Sequence, residues 1–194
     1  LEMGKAYLAA RDRGKAKGAF QKAIKHGAEA EGFTGVGLVY EDMGAHGHLA
    51  LVNYRRALGK NPNHVEAQYH IAQIYRTLRP LDAEVAYRTT ISMDGSHPDA
   101  YFQLGKLLEE EGRFVEARAA FEKQIEENPA HGFASLNLGR QMYAVGQKQA
   151  AARVFGSLME AGGEVETASY LEMALMSQDA RDFDNAERLF EAYI

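Results

Sequence analysis

An alanine followed four residues later by an aromatic recurs six times along this chain at a nearly fixed interval. The pairs are Ala16/Phe20, Ala50/Tyr54, Ala83/Tyr87, Ala117/Phe121, Ala151/Phe155 and Ala186/Phe190, stepping by 34, 33, 34, 34 and 35 residues. Four residues beyond each aromatic stands an apolar residue: Ile24, Leu58, Ile91, Ile125, Met159 and Ile194. Alanine, aromatic and aliphatic at i, i+4 and i+8 share one face of a helix. A sustained period of this length marks a repeat architecture, in which each unit buries its apolar face against the next.

A second pattern precedes each pair. It is a large residue followed by a small one: Met3-Gly4, Val36-Gly37, Ile71-Ala72, Leu104-Gly105, Leu138-Gly139 and Met173-Ala174. Three residues further on stand Tyr7, Tyr40, Tyr75, Leu108 and Met142, with Ser177 breaking the series. Gly44, Gly112 and Gly146 punctuate the space between the two patterns, and Pro62 and Pro129 fall between units, at turn and helix-stop positions. Each unit therefore reads as helix A, a tight turn and helix B. A helices are expected near 1–11, 30–43, 65–78, 98–111, 132–144 and 167–179, and B helices near 15–26, 47–60, 81–93, 115–127, 148–161 and 183–194. Pro98 and Pro80 are expected to open helices. Glycine inside a helix costs about 1 kcal/mol against alanine. Its recurrence at one point per unit implies close helix packing there, with the helix B aromatic filling the space beside it.

The segment Pro98–Ala130, PDAYFQLGKLLEEEGRFVEARAAFEKQIEENPA, shows the pattern most completely. It resembles the tetratricopeptide repeat: Leu-Gly, a bulky residue three on, Ala-x3-Phe and a closing Pro. The resemblance extends over essentially the whole chain. It implies an all-α solenoid, a right-handed superhelix with A helices lining the concave face. One array of about six repeats is expected, with boundaries near 1–29, 30–64, 65–97, 98–131, 132–166 and 167–194. The first and last are incomplete, which suggests a piece of a longer array. The sequence departs from the family in lacking tryptophan, with Tyr101 and Tyr170 early in helix A. The alanine expected three residues after the helix B aromatic is replaced by Thr90, Gln124, Leu158 and Tyr193. These departures are expected to loosen the packing code without threatening the fold.

Composition removes several classes of function. The chain has 194 residues, 46% hydrophobic and 25% charged, ordinary for a globular protein. It has no cysteine, which excludes disulfide scaffolds and thiol chemistry. No apolar run approaches the roughly 18 residues of a membrane span. The net charge of −5 gives no general basic field for nucleic acid. Charge is uneven, however: residues 1–30 carry +4 and Glu160 to the end carries −7.

Catalytic and metal motifs are missing. Gly32, Gly35 and Gly37 cluster inside a predicted A helix, not after a strand, and read as a weakly stable helix. His97-Pro98-Asp99 matches a co-chaperone tripeptide but falls on a repeat junction. His46 and His48 flank a turn glycine without a third ligand. No catalytic residue, metal site or cofactor is expected, and the chain is not expected to be an enzyme.

The A-helix register then supplies a candidate site. One column holds Thr34, Tyr69, Phe102, Leu136 and Leu171. Its neighbour holds Gly35, His70, Gln103, Asn137 and Glu172, and one turn on come Leu38, Gln73, Lys106, Arg140 and Leu175. These positions are expected to face away from helix B and to be unneeded by the core. Tyr69, Phe102 and Leu136 form an apolar ladder beside His70, Gln73, Gln103 and Asn137, with Lys106 and Arg140 as cations. Such a surface suits a peptide: apolar burial from the ladder, backbone hydrogen bonds from Gln103 and Asn137, and a preference for acidic segments. The family's clamp for a C-terminal carboxylate does not fit. With Asn137 as the central asparagine, Phe102, Ala168 and Glu172 stand where cations are expected.

The sequence thus predicts a protein-interaction scaffold that binds a peptide or protein segment in its groove, with no nucleic acid and no membrane insertion. The alternatives are a structural module of a bacterial envelope, pilus or polysaccharide-export machine, and a regulatory array fused to an enzyme. The alanine- and glycine-rich style points to a bacterium, and the cytoplasm is favoured over the periplasm. The first two units, with extra glycines and an irregular turn, are expected to open most readily.

Overall fold

A computed structural model describes residues 1–44 and 47–193. Among the described residues the chain forms twelve helices and no strand. They divide into two compact units, Leu1–His97 and Pro98–Ile194. The first holds α1 (Glu2–Ala9), α2 (Arg13–Lys25), α3 (Glu29–Asp42), α4 (Gly47–Lys60), α5 (Val65–Leu78) and α6 (Pro80–Met93). The second holds α7 (Ala100–Glu110), α8 (Phe114–Glu127), α9 (Gly132–Ala144), α10 (Lys148–Ala161), α11 (Glu166–Asp179) and α12 (Phe183–Tyr193). Odd-numbered helices are the A helices and even-numbered ones the B helices. Each A helix packs on the B helix that follows it, and within each unit each B helix packs on the next A helix.

The aromatic of helix B is the centre of each layer. Phe20, Tyr54, Tyr87, Phe121 and Phe155 are fully buried or nearly so, with Ala16, Ala50, Ala83, Ala117 and Ala151 buried four residues before them. The small residues of helix A exist for these rings. A methyl group on Gly37 would lie 2.5 Å from the Tyr54 ring, on Gly105 2.6 Å from Phe121 and on Gly139 2.6 Å from Phe155. Real carbon atoms do not approach that closely, so an alanine there would push the helices apart. The Gly32/Gly35/Gly37 cluster of α3 belongs to the same device: the first two face Ile24 and Phe20 of α2, and the third faces Tyr54 of α4. These glycines sit in a continuous 14-residue helix because two B helices press on it from either side.

Except after α5, where Arg79 has a φ of −154°, the turns after the A helices share a left-handed residue. Gly44, Gly112 and Gly146 have φ of +74°, +76° and +82°, and Arg11 and Arg181 take the same left-handed conformation at +58° and +62°. The next residue's N–H closes onto a carbonyl five back: Asp12 on Tyr7, Arg113 on Leu108, Gln147 on Met142 and Asp182 on Ser177, at 2.8–2.9 Å. This is the Schellman closure that glycine favours at a helix end.

Two expectations need correction. Pro98 does not open α7; Asp99 is its N-cap, and Pro98 lies outside, its carbonyl accepting from Gln124 at 2.9 Å. Pro80 does open α6. Gln124 packs tightly where its departure from alanine was expected to loosen the packing code. It is 0% exposed, and while its Nε2 donates to Pro98, its Oε1 accepts from the Phe102 N–H at 3.0 Å. One buried amide thereby caps the start of α7, where backbone groups lack helical partners. Ser177, which broke the apolar series, accepts from Asn185 Nδ2 at 2.8 Å, so a polar pair replaces an apolar contact.

Candidate functional site

Two columns on the A helices define the site. His64, His97 and His131 each precede by seven residues the large residue of the large-small pair (Ile71, Leu104 and Leu138). Thr34, Tyr69 and Phe102 each precede theirs by two (Val36, Ile71 and Leu104). Folding brings a residue of the second column onto the histidine at or just before the start of the next repeat's A helix. In the first compact unit the Tyr69 ring lies 4.4 Å from the His97 ring. In the second the Phe102 ring lies 4.8 Å from His131. Further along that unit Leu136 meets Val165 in one buried cluster with Ala151 and Phe155.

Only threonine stands in this column before His64. Its hydroxyl donates to the Ala30 carbonyl of its own helix at 2.9 Å, and no ring fills the space beside it. A cavity of about 330 Å³ opens there, with Phe20, Thr34, Gly35 and Leu38 on the inside, His64 and His70 on one wall, and Leu1, Lys5, Glu31 and Glu66 around the mouth. Gly35 makes the floor. A methyl group there would lie 2.2 Å from the Phe20 ring, so the backbone of α3 presses directly on that ring.

The polar walls are held in place. His70 Nδ1 lies 3.1 Å from Glu41 Oε2, which also accepts from the Tyr54 hydroxyl at 2.5 Å. The imidazole stacks on the Tyr54 ring at 5.1 Å and 13°. Burial first, then the nearby Glu41 charge and hydrogen bond, push the Tyr54 hydroxyl well above its ordinary pKa, so it stays a donor. His64 Nδ1 accepts from the Ala67 N–H at 3.3 Å, which assigns the ring proton to Nε2 when the ring is neutral. His131 does the same for the Ala134 N–H at 3.1 Å, and its Nε2 meets Asp99 Oδ1 at 3.1 Å. Among the described residues His64 Nε2 has no such partner. No cluster of three or more His, Asp or Glu able to hold a metal occurs among the described residues.

The chain's relatives can now be placed. Residues 78–132 match the tetratricopeptide-repeat family. The solved structure of PilF from Pseudomonas aeruginosa superposes with a TM-score of 0.84 at 19% identity, covering 97% of this chain and 86% of that one. That likeness is one of fold. YrrB, described as a tetratricopeptide-repeat protein with an unusual peptide-binding site, superposes at 0.69 with 17% identity, covering 91% of each chain. MamA from Desulfovibrio magneticus RS-1 superposes at 0.71 with 16% identity, covering 86% of this chain and 94% of that one. No curated protein sequence matches it significantly.

Within the tetratricopeptide framework the expected site residues separate. In the first unit Tyr69, His70 and Gln73 do come together: the Tyr69 and His70 rings meet edge-on at 5.6 Å, and Gln73 Nε2 donates to the Tyr69 hydroxyl at 2.6 Å. In the second unit Phe102 is half-buried among His131, Phe121 and Phe133. Gln103 donates to Asp99 at 2.8 Å, and Lys106 is half-buried. Leu136 and Asn137 are core residues, 3% and 6% exposed, contrary to the expectation that their columns are free of the core. Leu136 is buried because Val165, not a histidine, arrives against it, and the Asn137 amide is committed to the Phe133 carbonyl at 2.8 Å. Arg140 is exposed but paired with Glu172 at 2.7 Å. His97 of the junction tripeptide is a buried ring beneath Tyr69. His46 lies outside the described residues, and His48 is exposed.

Sequence reasoning passed over Phe20, His64 and Glu66, and set Thr34, Gly35 and Leu38 in the groove columns without choosing them. The histidines at steps of 33 and 34 were the available signal for His64. No helix among the described residues is long and apolar enough to cross a membrane.

Proposed function

We propose that this chain is a non-catalytic protein-interaction module that holds a segment of a partner protein against its A helices. The observation that carries this reading is the apolar cavity between α3 and α5, open to solvent and walled by two histidines. Apolar concavities with a few fixed polar groups are where proteins bind ligands. On its wall His70 offers a polar contact for a backbone; elsewhere on the A helices Gln73 in the first unit, and Phe102 and Lys106 in the second, offer polar, apolar and cationic ones. The fold supports the reading by analogy, since YrrB shares it and has a peptide-binding site.

A selection of random phage-displayed peptides against this chain, followed by amide chemical-shift mapping of the enriched sequences, tests it. The expected shifts fall on the A helices, at Thr34, Leu38, His70 and Gln73 or at Phe102 and Lys106. Enrichment of no peptide, or shifts confined to the B helices, would overturn the reading.

A further inference from the structure

We infer that the cavity beside Thr34 is an anchor site for one aromatic side chain of the partner, a phenylalanine or tyrosine with a lysine or arginine next to it in sequence. The inference rests on the peptide-binding reading and names what that peptide must carry. The molecule itself shows what fits. At the equivalent place in the next two repeats a ring from the chain's own helix A fills the space and lies tilted against the histidine: Tyr69 on His97 at 4.4 Å and 34°, and Phe102 on His131 at 4.8 Å and 45°. His64 occupies the same register as those histidines, and Thr34 the same register as those rings. The ring is missing and its receptacle remains.

Size and chemistry agree. An apolar cavity of roughly 150 Å³ is enough to hold benzene, and this one measures about 330 Å³. Phe20 and Leu38 supply its apolar lining and two imidazoles give the ring flat partners. Aromatic pairs gain from offset or edge contacts beyond simple burial. His64 Nε2–H is a donor in want of an acceptor, which a peptide carbonyl or a tyrosine hydroxyl supplies. The mouth sets the neighbouring residue. Glu31 and Glu66 are exposed there and have no ion pair among the described residues, whereas Lys5 on the same rim is paired with Glu2 at 3.1 Å. The unpaired side-chain charge at the mouth is negative, so a cation beside the aromatic is favoured.

Three capped dipeptides are the probes: N-acetyl-Phe-Arg-amide, N-acetyl-Leu-Arg-amide and N-acetyl-Phe-Glu-amide, titrated into the 15N-labelled chain at low salt. Phe-Arg is expected to shift Thr34, Gly35, Leu38 and His70 with millimolar affinity. Loss of the ring should weaken binding about two- to ten-fold, and reversal of the charge about two- to five-fold. Thr34→Phe, which installs the ring the neighbouring repeats carry, should abolish these shifts while keeping the helical spectrum. Should that variant misfold, the surface pair Glu31→Lys and Glu66→Lys serves instead, and should invert the preference between Phe-Arg and Phe-Glu. Leu-Arg binding as tightly as Phe-Arg, shifts away from the cavity, or concentration-dependent self-association that occupies the same residues in place of the probe would overturn the inference. If selected peptides bind the A helices of the wild-type and Thr34→Phe chains equally, the aromatic anchor fails while the peptide-binding reading stands. If no peptide binds, both fail.

Discussion

The repeats at α3 and at α7 use the same register for different ends. At α7 the second column carries Phe102, whose ring lies against His131 and Phe121. At α3 the column carries Thr34, and the space in front of His64 stays open. Both repeats carry a buried helix B ring, Tyr54 or Phe121, beside a helix A glycine, Gly37 or Gly105. The side chain in that column separates a layer sealed by its own residues from one with room for a residue of another molecule. A solenoid makes this economical, because each repeat's packing depends mainly on its neighbours.

The comparison breaks most visibly if the sealed layer is opened. Phe102→Thr should create a second cavity in front of His131 and lower stability by about 2 kcal/mol, below the range for a fully buried phenylalanine because this ring is half-exposed. Urea unfolding measures it, and no loss would mean the ring does not seal the layer.

The wall of the open layer can be loosened next. Tyr54→Phe removes the hydroxyl that holds Glu41 beside His70 and should cost about 1.5 kcal/mol at neutral pH, the low end for a hydrogen bond to a charged group. The folded state raises the Tyr54 pKa above its ordinary 10.0, so the neutral form is favoured by folding. That stability is intact below pH 10.0 and declines above it, where tyrosine in the unfolded chain ionises first. Wild-type stability should therefore fall more steeply than that of the variant above this pH, and parallel curves would contradict the assignment.

Closing the open layer should act in the opposite direction. Thr34→Phe is expected to raise stability by about 1 kcal/mol, as cavity-filling substitutions do. A smaller, regional difference concerns opening. Amides of residues 1–45 should exchange with solvent a few-fold faster than those of 98–160, because α1 is only 8 residues long and Arg11 holds a left-handed φ of 58° that costs a non-glycine residue about 1–2 kcal/mol. Slower exchange in 1–45 would remove the contrast.

Most of the fold was legible because the period encodes it. The Ala-x3-aromatic and large-small patterns state which residues meet, and the glycines at 37, 105 and 139 lie against the rings of Tyr54, Phe121 and Phe155 as that pattern requires. Helix ends were read to within about two residues, and Pro98 was misplaced because proline suits the position before an N-cap as well as the first turn. The site was less legible. Leu136 and Asn137 share a column with exposed residues elsewhere, but their burial depends on Val165 and on the Phe133 carbonyl, which a column alone does not reveal. The cavity was missed for a deeper reason. A search for binding residues looks for side chains that are present, and Thr34 matters through the ring it lacks.

The central claim is that the space beside Thr34 is the place of an absent aromatic ring. A crystal structure of the Thr34→Phe variant tests it most directly. The account predicts the introduced ring inside the former cavity, tilted against His64 at the 4.4–4.8 Å seen at Tyr69 and Phe102, with α3 and α5 unmoved. A ring turned to solvent with the cavity still open, or helices driven apart to admit it, would contradict the claim.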